Sequence, residues 1–361
     1  MTIDVNVLMI GSNTKVKGGM TTVVQSFLNH RFSKSIHLTF IASHSEKGRI
    51  YNSFFFLKAL FAINTHLLFR NPQIVHLHMS DKGSFIRKYI IFKVSKLLNK
   101  RVIVHMHGGN FDNFYLGLPK LLKVCANELL EKADKVITLG GNWEKILRSI
   151  EPKANIKVLK NSVPIPEFVE RNQQEEFNIL FLAVINKEKG ILDLIQASIP
   201  VIEKAVRQRK NVVFEIAGDG PALMQAKRMV ADAGISSFYR FHGWVGFKEK
   251  KMLLERCDLF VLPSYFEALP MSVLEAISYG IPVVSTNVGS VDEAVRDGIN
   301  GSLIEPGDIS ALTKYLDLHL YHDAPFEFRK ASRTIALSNF DEKNYFEQIE
   351  ELYLSSFQID R

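Results

Sequence analysis

Two glutamates, Glu267 and Glu275, stand in the stretch VLPSYFEALPMSVLEAISYGIPVVSTNVG, Val261 to Gly289. An apolar run stops at Pro263-Ser264, which puts Glu267 just past the carboxyl end of a strand, where a side chain can reach a ligand. Taken alone, a carboxylate there could equally do no more than offset a helix dipole. Pro270 suits a first helical position, and the N–H groups around Leu269, Met271 and Ser272 would form an anion site of the kind that holds a diphosphate. Glu275 falls two turns into the same helix, about 12 Å from Glu267 if the segment were helical throughout. At that distance the pair shares neither a proton nor a metal, so each must contact a different part of a long ligand.

Other residues could join this chemistry. Lys189 precedes Gly190 in FLAVINKEKGILDLIQA, His107-Gly108-Gly109 closes the strand-like VHMHGG, and Gly18-Gly19 sits in VKGGMTTVVQSF. A Gly-Gly pair lets backbone approach a phosphate closely, but by itself it is also an ordinary turn. His76, His78 and His105 lie within strand patterns and read as structural. Gly218-Asp219-Gly220 reads as a strand-end turn. The first glycine loop lacks G-x-G-x-x-G, which argues against a dinucleotide redox fold. No Asp-x-Asp occurs, and no His/Cys cluster has metal-ligand spacing along the chain, so no metal site is expected.

The elements that must position these residues follow from periodicity. Short β-branched runs (VNVLMIG, IHLTFIAS, IVHLHM, VIVHMHG, KVITL, IKVLKN) alternate with helical patterns; the alternation pauses at the Pro-bearing stretch near Ser162 to Glu176 and restarts with NILFLAVI, VVFEIAG, YRFHGW, LFVLPS and PVVSTN. That is α/β architecture with parallel sheets, in two Rossmann-like, doubly wound domains: residues 1–165, and 166–344. A last amphipathic helix over 345–361 has no strand after it. Doubly wound sheets bind ligands at the carboxyl ends of their strands, so the expected site is a cleft between the two domains.

At 361 residues, 47% hydrophobic and 23% charged, the chain is an ordinary globular one, long enough for two cores. The two cysteines, Cys125 and Cys257, have neither zinc nor disulfide spacing and fit a reducing cytosol. The amino end reads as a first strand rather than a leader. FFFLKALFAINTHLLF is interrupted by Lys58, Asn64, Thr65 and His66, and no transmembrane helix is expected. Residues 1–165 carry 24 Lys/Arg against 9 Asp/Glu, a net +15; the remainder carries 21 against 29, a net −8. Only the first half should attract anionic surfaces. Its segment SDKGSFIRKYIIFKVSKLLNKR mixes cations with aliphatics and, together with the Phe-rich segment from Phe54 to Phe69, reads as a surface for an anionic bilayer, although an ordinary sheet-packed helix has the same pattern. No nucleic-acid module appears, and no nucleic-acid partner is expected.

Glu-x7-Glu followed by AISYGIPVVSTNVGSVDEAVRDGINGSLIEPGD resembles the carboxy-terminal signature of retaining GT-B glycosyltransferases of family four, and the other motifs occur in that family's order. The resemblance implies a cytoplasmic, metal-independent hexosyltransferase without a cofactor. Glu267 would contact the donor sugar, the Leu269, Met271 and Ser272 backbone the diphosphate, and Glu275 the ribose. It also implies that Lys189 grips the diphosphate, His107 faces the donor sugar, Gly18 and Gly19 line the donor, and Val245, after Trp244, meets the base. The family's arginine position is Val184 here, a departure that removes a cation unless Lys187 substitutes. Partners implied are a nucleotide-sugar donor and a saccharide acceptor of bacterial surface-polysaccharide assembly, linked to polyprenyl diphosphate, with the first domain on the inner face of the membrane. A sugar-nucleotide epimerase of the same fold, and a non-catalytic membrane-associated nucleotide-sugar-binding subunit, are the rival readings.

Overall fold

The computed structural model describes residues 4–168, 175–321 and 326–355 and divides into two compact units, one of residues 1–161 with 343–361, the other of residues 162–342. Residues 169–174, within the expected linker stretch, and residues 356–361, the end of the expected last helix, lie outside those described.

Unit 1 alternates β1 (Val5–Gly11), α1 (Gly19–Asn29), β2 (Ile36–Ala42), α2 (Arg49–Phe69), β3 (Ile74–Met79), α3 (Gly83–Leu97), β4 (Arg101–Met106), α4 (Phe111–Leu116), α5 (Lys120–Lys132), β5 (Lys135–Thr138), α6 (Gly141–Ile150) and β6 (Ile156–Val158). The strands form one parallel sheet in the order β2-β1-β3-β4-β5-β6. β3 is buried at every position, as a central strand covered on both faces must be, which is why it shows no polar–apolar alternation. The order reverses between β1 and β3.

Unit 2 contains β7 (Phe177–Leu182), α7 (Ile191–Gln208), β8 (Val212–Ala217), α8 (Leu223–Asp232), β9 (Tyr239–Gly243), α9 (Phe247–Arg256), β10 (Leu259–Leu262), α10 (Met271–Ser278), β11 (Val283–Thr286), β12 (Gly301–Ile304), α11 (Ile309–Tyr321) and α12 (Phe326–Asn339). Its parallel sheet runs β12-β11-β10-β7-β8-β9, with the order reversing between β7 and β10. Two parallel-sheet Rossmann-like units of six strands each therefore confirm the doubly wound expectation. β12 was not anticipated: Gly301-Ser302-Leu303-Ile304 is short and begins with residues of low strand preference.

The last described helix, α13 (Glu342–Ser355), packs onto unit 1 through aromatic rings. Phe346 stacks on His30 with centroids 3.8 Å apart and meets Phe27 edge-on at 5.2 Å, and the buried Tyr353 hydroxyl lies 2.6 Å from His76 Nδ1. The segment expected to be too interrupted to span a membrane folds as one continuous helix, α2, and Ile50–Phe69 is long and apolar enough to cross one by length and composition. It buries one narrow stripe, Ala59, Ile63 and Leu67, and leaves Phe54, Leu57, Phe61 (76%), Leu68 and Phe69 (81%) exposed.

Phe346 is 1% exposed inside the aromatic cluster. Phe346→Ala should cost about 3–5 kcal/mol. A shift of the urea midpoint by less than the equivalent of about 1 kcal/mol would show that α13 does not hold unit 1 together.

Candidate functional site

The carboxyl edge of the second sheet gathers the acid–base groups at its switch point, where a doubly wound sheet opens a crevice between adjacent strand ends. β7 runs into the loop carrying Val184 and Lys189; β10 runs into the loop carrying Ser264 and Glu267. Glu267 is 8% exposed, and its Oε1 accepts from Lys189 Nζ at 2.6 Å and from Ser264 Oγ at 2.9 Å. Both bonds fall on Oε1, which leaves Oε2 for a ligand. Backbone contact locks the two loops: Tyr265 N–H donates to the Glu188 carbonyl at 2.8 Å. Gly190, at φ 73°, lies so close to Pro263 that a Cβ would stand 2.0 Å from its carbonyl oxygen. Gly289, at φ 59°, supports the Glu267 loop from below, where a Cβ would meet the Glu267 carbonyl oxygen at 2.1 Å. Neither glycine tolerates a side chain.

Helix α10 begins one residue later than expected, with Pro270 as its N-cap rather than its first helical residue. It has no side-chain cap and no acidic residue in its first turn. Val273 and Leu274 N–H donate to the Pro270 carbonyl, leaving the first-turn N–H groups of Met271 and Ser272 for an anion. Leu269 is buried immediately before them. Glu275, half-buried, pairs with Lys250 Nζ from α9. Val245 is half-buried in the turn between β9 and α9, beside Trp244, which is exposed. Val184 is half-buried and Lys187 exposed. Unit 2 thus brings Lys189 to Glu267, beside the chain that leads into the start of α10. Lys250 and Ser264 were not foreseen.

Gly18, Gly19 and His107 belong to unit 1. Gly18 is the N-cap of α1 at φ 141°, with nothing within 4 Å of a notional Cβ, so both its conformation and the open space suit close approach by a ligand. His107, half-buried, follows β4, and its Nε2 lies 2.9 Å from His78 Nδ1. Burial first, and the charge of Lys88 second, hold its imidazole well below the ordinary range. Asp81, at the end of β3, presses against Gly108, where a Cβ would be 2.0 Å from its Oδ1; burial raises its carboxyl to about 6. Asp81 also escaped the sequence reading.

Chain spacing suggested no metal-ligand cluster, yet the register of β3 and β4 sets His78 opposite His105 and brings ring nitrogens of His76, His78 and His105 within 4.8 Å of one another. His76 Nε2, His78 Nε2 and both nitrogens of His105 are buried without a hydrogen-bond partner. No carboxylate is among the groups that perturb these rings, and buried Lys88 acts on His78. Burial and the neighbouring cation both favour the neutral imidazoles, which is also the form in which histidine ligates a metal.

Those imidazoles make stability depend on pH. Burial holds His76 at about 3 and His78 and His105 well below their ordinary value. Below about pH 6.5 the unfolded chain then binds more protons than the folded one, so stability falls on acidification, by up to about 1.4 kcal/mol per pH unit for each ring. Asp81 works in the opposite sense, by one proton between about pH 4 and 6. The urea midpoint should drop between pH 7 and pH 5, and His105→Asn should flatten that slope; a pH-independent midpoint would contradict neutral burial.

Residues 165–334 match the family model described as glycosyl transferases group 1. The chain is 26% identical to an uncharacterized 41.2 kDa protein in the cps region of Klebsiella pneumoniae, over 94% of this chain and 97% of that one. It is also 26% identical to the amylovoran biosynthesis glycosyltransferase AmsK of Erwinia amylovora, over 85% of this chain and 73% of that one. Among solved structures it resembles Anabaena Alr3699/HepE in complex with UDP and glucose, with a TM-score of 0.75 at 17% identity, covering 97% and 99% of the two chains. Residues 165–334 therefore resemble a glycosyltransferase group 1 domain, and the two Rossmann-like units share the GT-B fold of these solved structures.

Proposed function

We propose that this protein is a retaining glycosyltransferase that moves a sugar from a nucleotide-sugar donor to a saccharide acceptor during assembly of a bacterial surface polysaccharide. The observation that carries the reading is the Lys189–Glu267–Ser264 cluster beside the uncapped start of α10. Its support from relatives is a glycosyltransferase of amylovoran biosynthesis and a structural neighbour with UDP and glucose bound.

In this reading Glu267 Oε2 accepts from a hydroxyl of the donor sugar, and its Oε1 stays fixed by Lys189 and Ser264. The bond between the anomeric carbon and the diphosphate breaks while the bond to the acceptor oxygen forms on the same face, and the acceptor's proton passes to the departing phosphate. Charge growing on that phosphate meets the Met271 and Ser272 N–H groups and Lys189, preorganised donors that need not reorient as the bond breaks. Glu275, held by Lys250, receives the ribose hydroxyls, and the main chain at Val245 meets the base. His107, kept neutral, offers a hydrogen bond without adding charge beside the sugar. Gly18 and Gly19 let backbone approach the donor. No metal or cofactor is assigned a role.

The acceptor is a saccharide on polyprenyl diphosphate, and the protein works at the inner face of the cytoplasmic membrane. Support comes from α2, whose exposed Phe54, Leu57, Phe61, Leu68 and Phe69 form an apolar face on the unit that carries the net positive half of the sequence. Apolar burial and attraction to anionic headgroups act together in such contacts.

Nucleoside diphosphate release from a panel of UDP-, GDP-, ADP- and TDP-sugars, with a lipid-diphosphate saccharide and EDTA present, tests the reaction. One donor should support acceptor-dependent release with retained anomeric configuration; an inverted product or no release with any pair would end the proposal. Glu267→Gln and Lys189→Met should each lower kcat at least about 100-fold. Val184→Arg should lower the donor Kd, and an unchanged Kd would show that this position does not face the diphosphate. Flotation with anionic vesicles should be lost in a Phe54→Ser/Phe61→Ser double variant, and parent protein indifferent to anionic lipid would remove the membrane assignment.

A further inference from the structure

Helix α3 carries two adjacent basic residues, Arg87 and Lys88, that no acid among the described residues pairs with. Lys88 is 1% exposed, and its Nζ donates to Ser43 Oγ at 2.8 Å. Ser43, just beyond β2, is wholly buried and donates in turn to the Gly11 carbonyl at 3.1 Å. Arg87 is half-buried, and its Nε has no hydrogen-bond partner; nor has Nδ1 of His44, the residue after Ser43. Among the described residues neither Arg87 nor Lys88 enters an ion pair. Asp81, the nearest carboxyl in sequence, interacts with Lys82 and Asp112 rather than with either.

Buried charges are normally paired, because desolvation without compensation costs several kcal/mol. Here the protein responds by giving up charge. Burial, then Arg87, brings Lys88 down to about 7; burial, then Arg87 and Lys88, brings His44 down to about 4. The groups acting on or bonded to Lys88, or acted on by it, are Ser43 and His44 after β2, Arg87 on α3, His78 on β3 and His107 after β4. All are cationic or neutral. What the cluster lacks is an anion, and half-buried Arg87 and His44 are the members one can reach.

We propose that Arg87, His44 and Lys88, at the carboxyl edge of the first sheet, form an anion subsite for the acceptor's diphosphate, the group linking the saccharide to its lipid. This rests on the reading of a lipid-diphosphate acceptor. In that reading the donor's leaving diphosphate is given partners in unit 2, which leaves this cluster for the acceptor's anion. Its position also fits a lipid-borne group: α3 packs against α2, the helix with the exposed apolar face. A planar guanidinium can hold two phosphate oxygens at once, and a lysine behind it supplies unscreened charge.

Titration calorimetry of the full chain with geranyl diphosphate, inorganic pyrophosphate and geraniol tests this. Geranyl diphosphate should bind, Arg87→Gln should weaken it at least 10-fold, and Lys189→Met should leave its affinity within 2-fold. At pH 8 the binding heat should vary with the ionisation enthalpy of the buffer, because the arriving anion makes Lys88 take up a proton; Lys88→Met should abolish that dependence, and Arg87→Gln keeps the test intact if that variant fails to fold. Equal binding by Arg87→Gln, no binding by the parent, or pyrophosphate binding as tightly as geranyl diphosphate with the same loss in Arg87→Gln would each overturn the assignment to a lipid-linked acceptor. Nucleoside diphosphate binding by Arg87→Gln is read separately and should match the parent, so failure of this subsite is distinguishable from failure of the transferase reading.

Discussion

A carboxylate taken out of water has to be given a charge partner, and the edge of the second sheet is arranged around that requirement at Glu267. The partner, Lys189, comes from the far side of the switch point, so the loops after β7 and β10 must meet. They meet through contacts that never touch a ligand: the Tyr265–Glu188 backbone bond, Gly190 against Pro263, and Gly289 beneath Glu267. The precision of the acid therefore depends on two glycines whose backbone angles and clearances admit nothing larger. A methyl group at either would push the loop by more than an ångström, enough to unmake a 2.6 Å bond.

The two units handle charge in opposite ways. Unit 2 pairs the acids at its sheet, Glu267 with Lys189, Glu275 with Lys250, and Glu215 with both Arg240 and His242, and leaves His319 buried with Nε2 unpartnered. Such an edge is already compensated and holds its geometry without a ligand. Unit 1 leaves Lys88, Arg87 and a stack of histidines without acids, and burial shifts Lys88 and the histidines toward their neutral forms while Arg87 stays charged. The split of +15 against −8 along the chain is the sequence-level trace of this difference, although a sum of charges cannot say that the unpaired ones cluster at one sheet edge.

Buried parallel strands are continuous apolar runs, and that is why nearly every strand could be read from the sequence. β12 escaped because Gly301 and Ser302 dilute a four-residue run. In helix α2, Lys58, Asn64, Thr65 and His66 looked like interruptions of the apolar run, but they do not break the helix. Lys58 and Thr65 lie on its exposed face, and Asn64 and Thr65 satisfy their side chains on the carbonyls of Leu60 and Phe61, one turn back. Glu267, Glu275 and Lys189 were legible because each belongs to a local strand–turn–helix pattern. Lys250, the histidine cluster and the Lys88–Ser43 bond were not, because each forms between elements whose juxtaposition depends on sheet register and helix packing rather than on spacing along the chain.

The pairing in unit 2 bears on the missing arginine. Lys189 and Lys250 are each matched by a carboxylate, so together they add little net positive charge where a diphosphate would lie. With Val184 contributing none, positive potential at that edge comes from the start of α10, which has neither a capping side chain nor an acid in its first turn, and from exposed Lys187 on the loop after β7. Pro270 is consistent with this arrangement: it fixes the backbone at the helix entrance and offers no side-chain oxygen that could compete with a ligand for the N–H groups of Met271 and Ser272. A serine or aspartate in its place would strengthen the helix and occupy those N–H groups, so on the proposed reading stability and anion binding would make opposite demands on that one position.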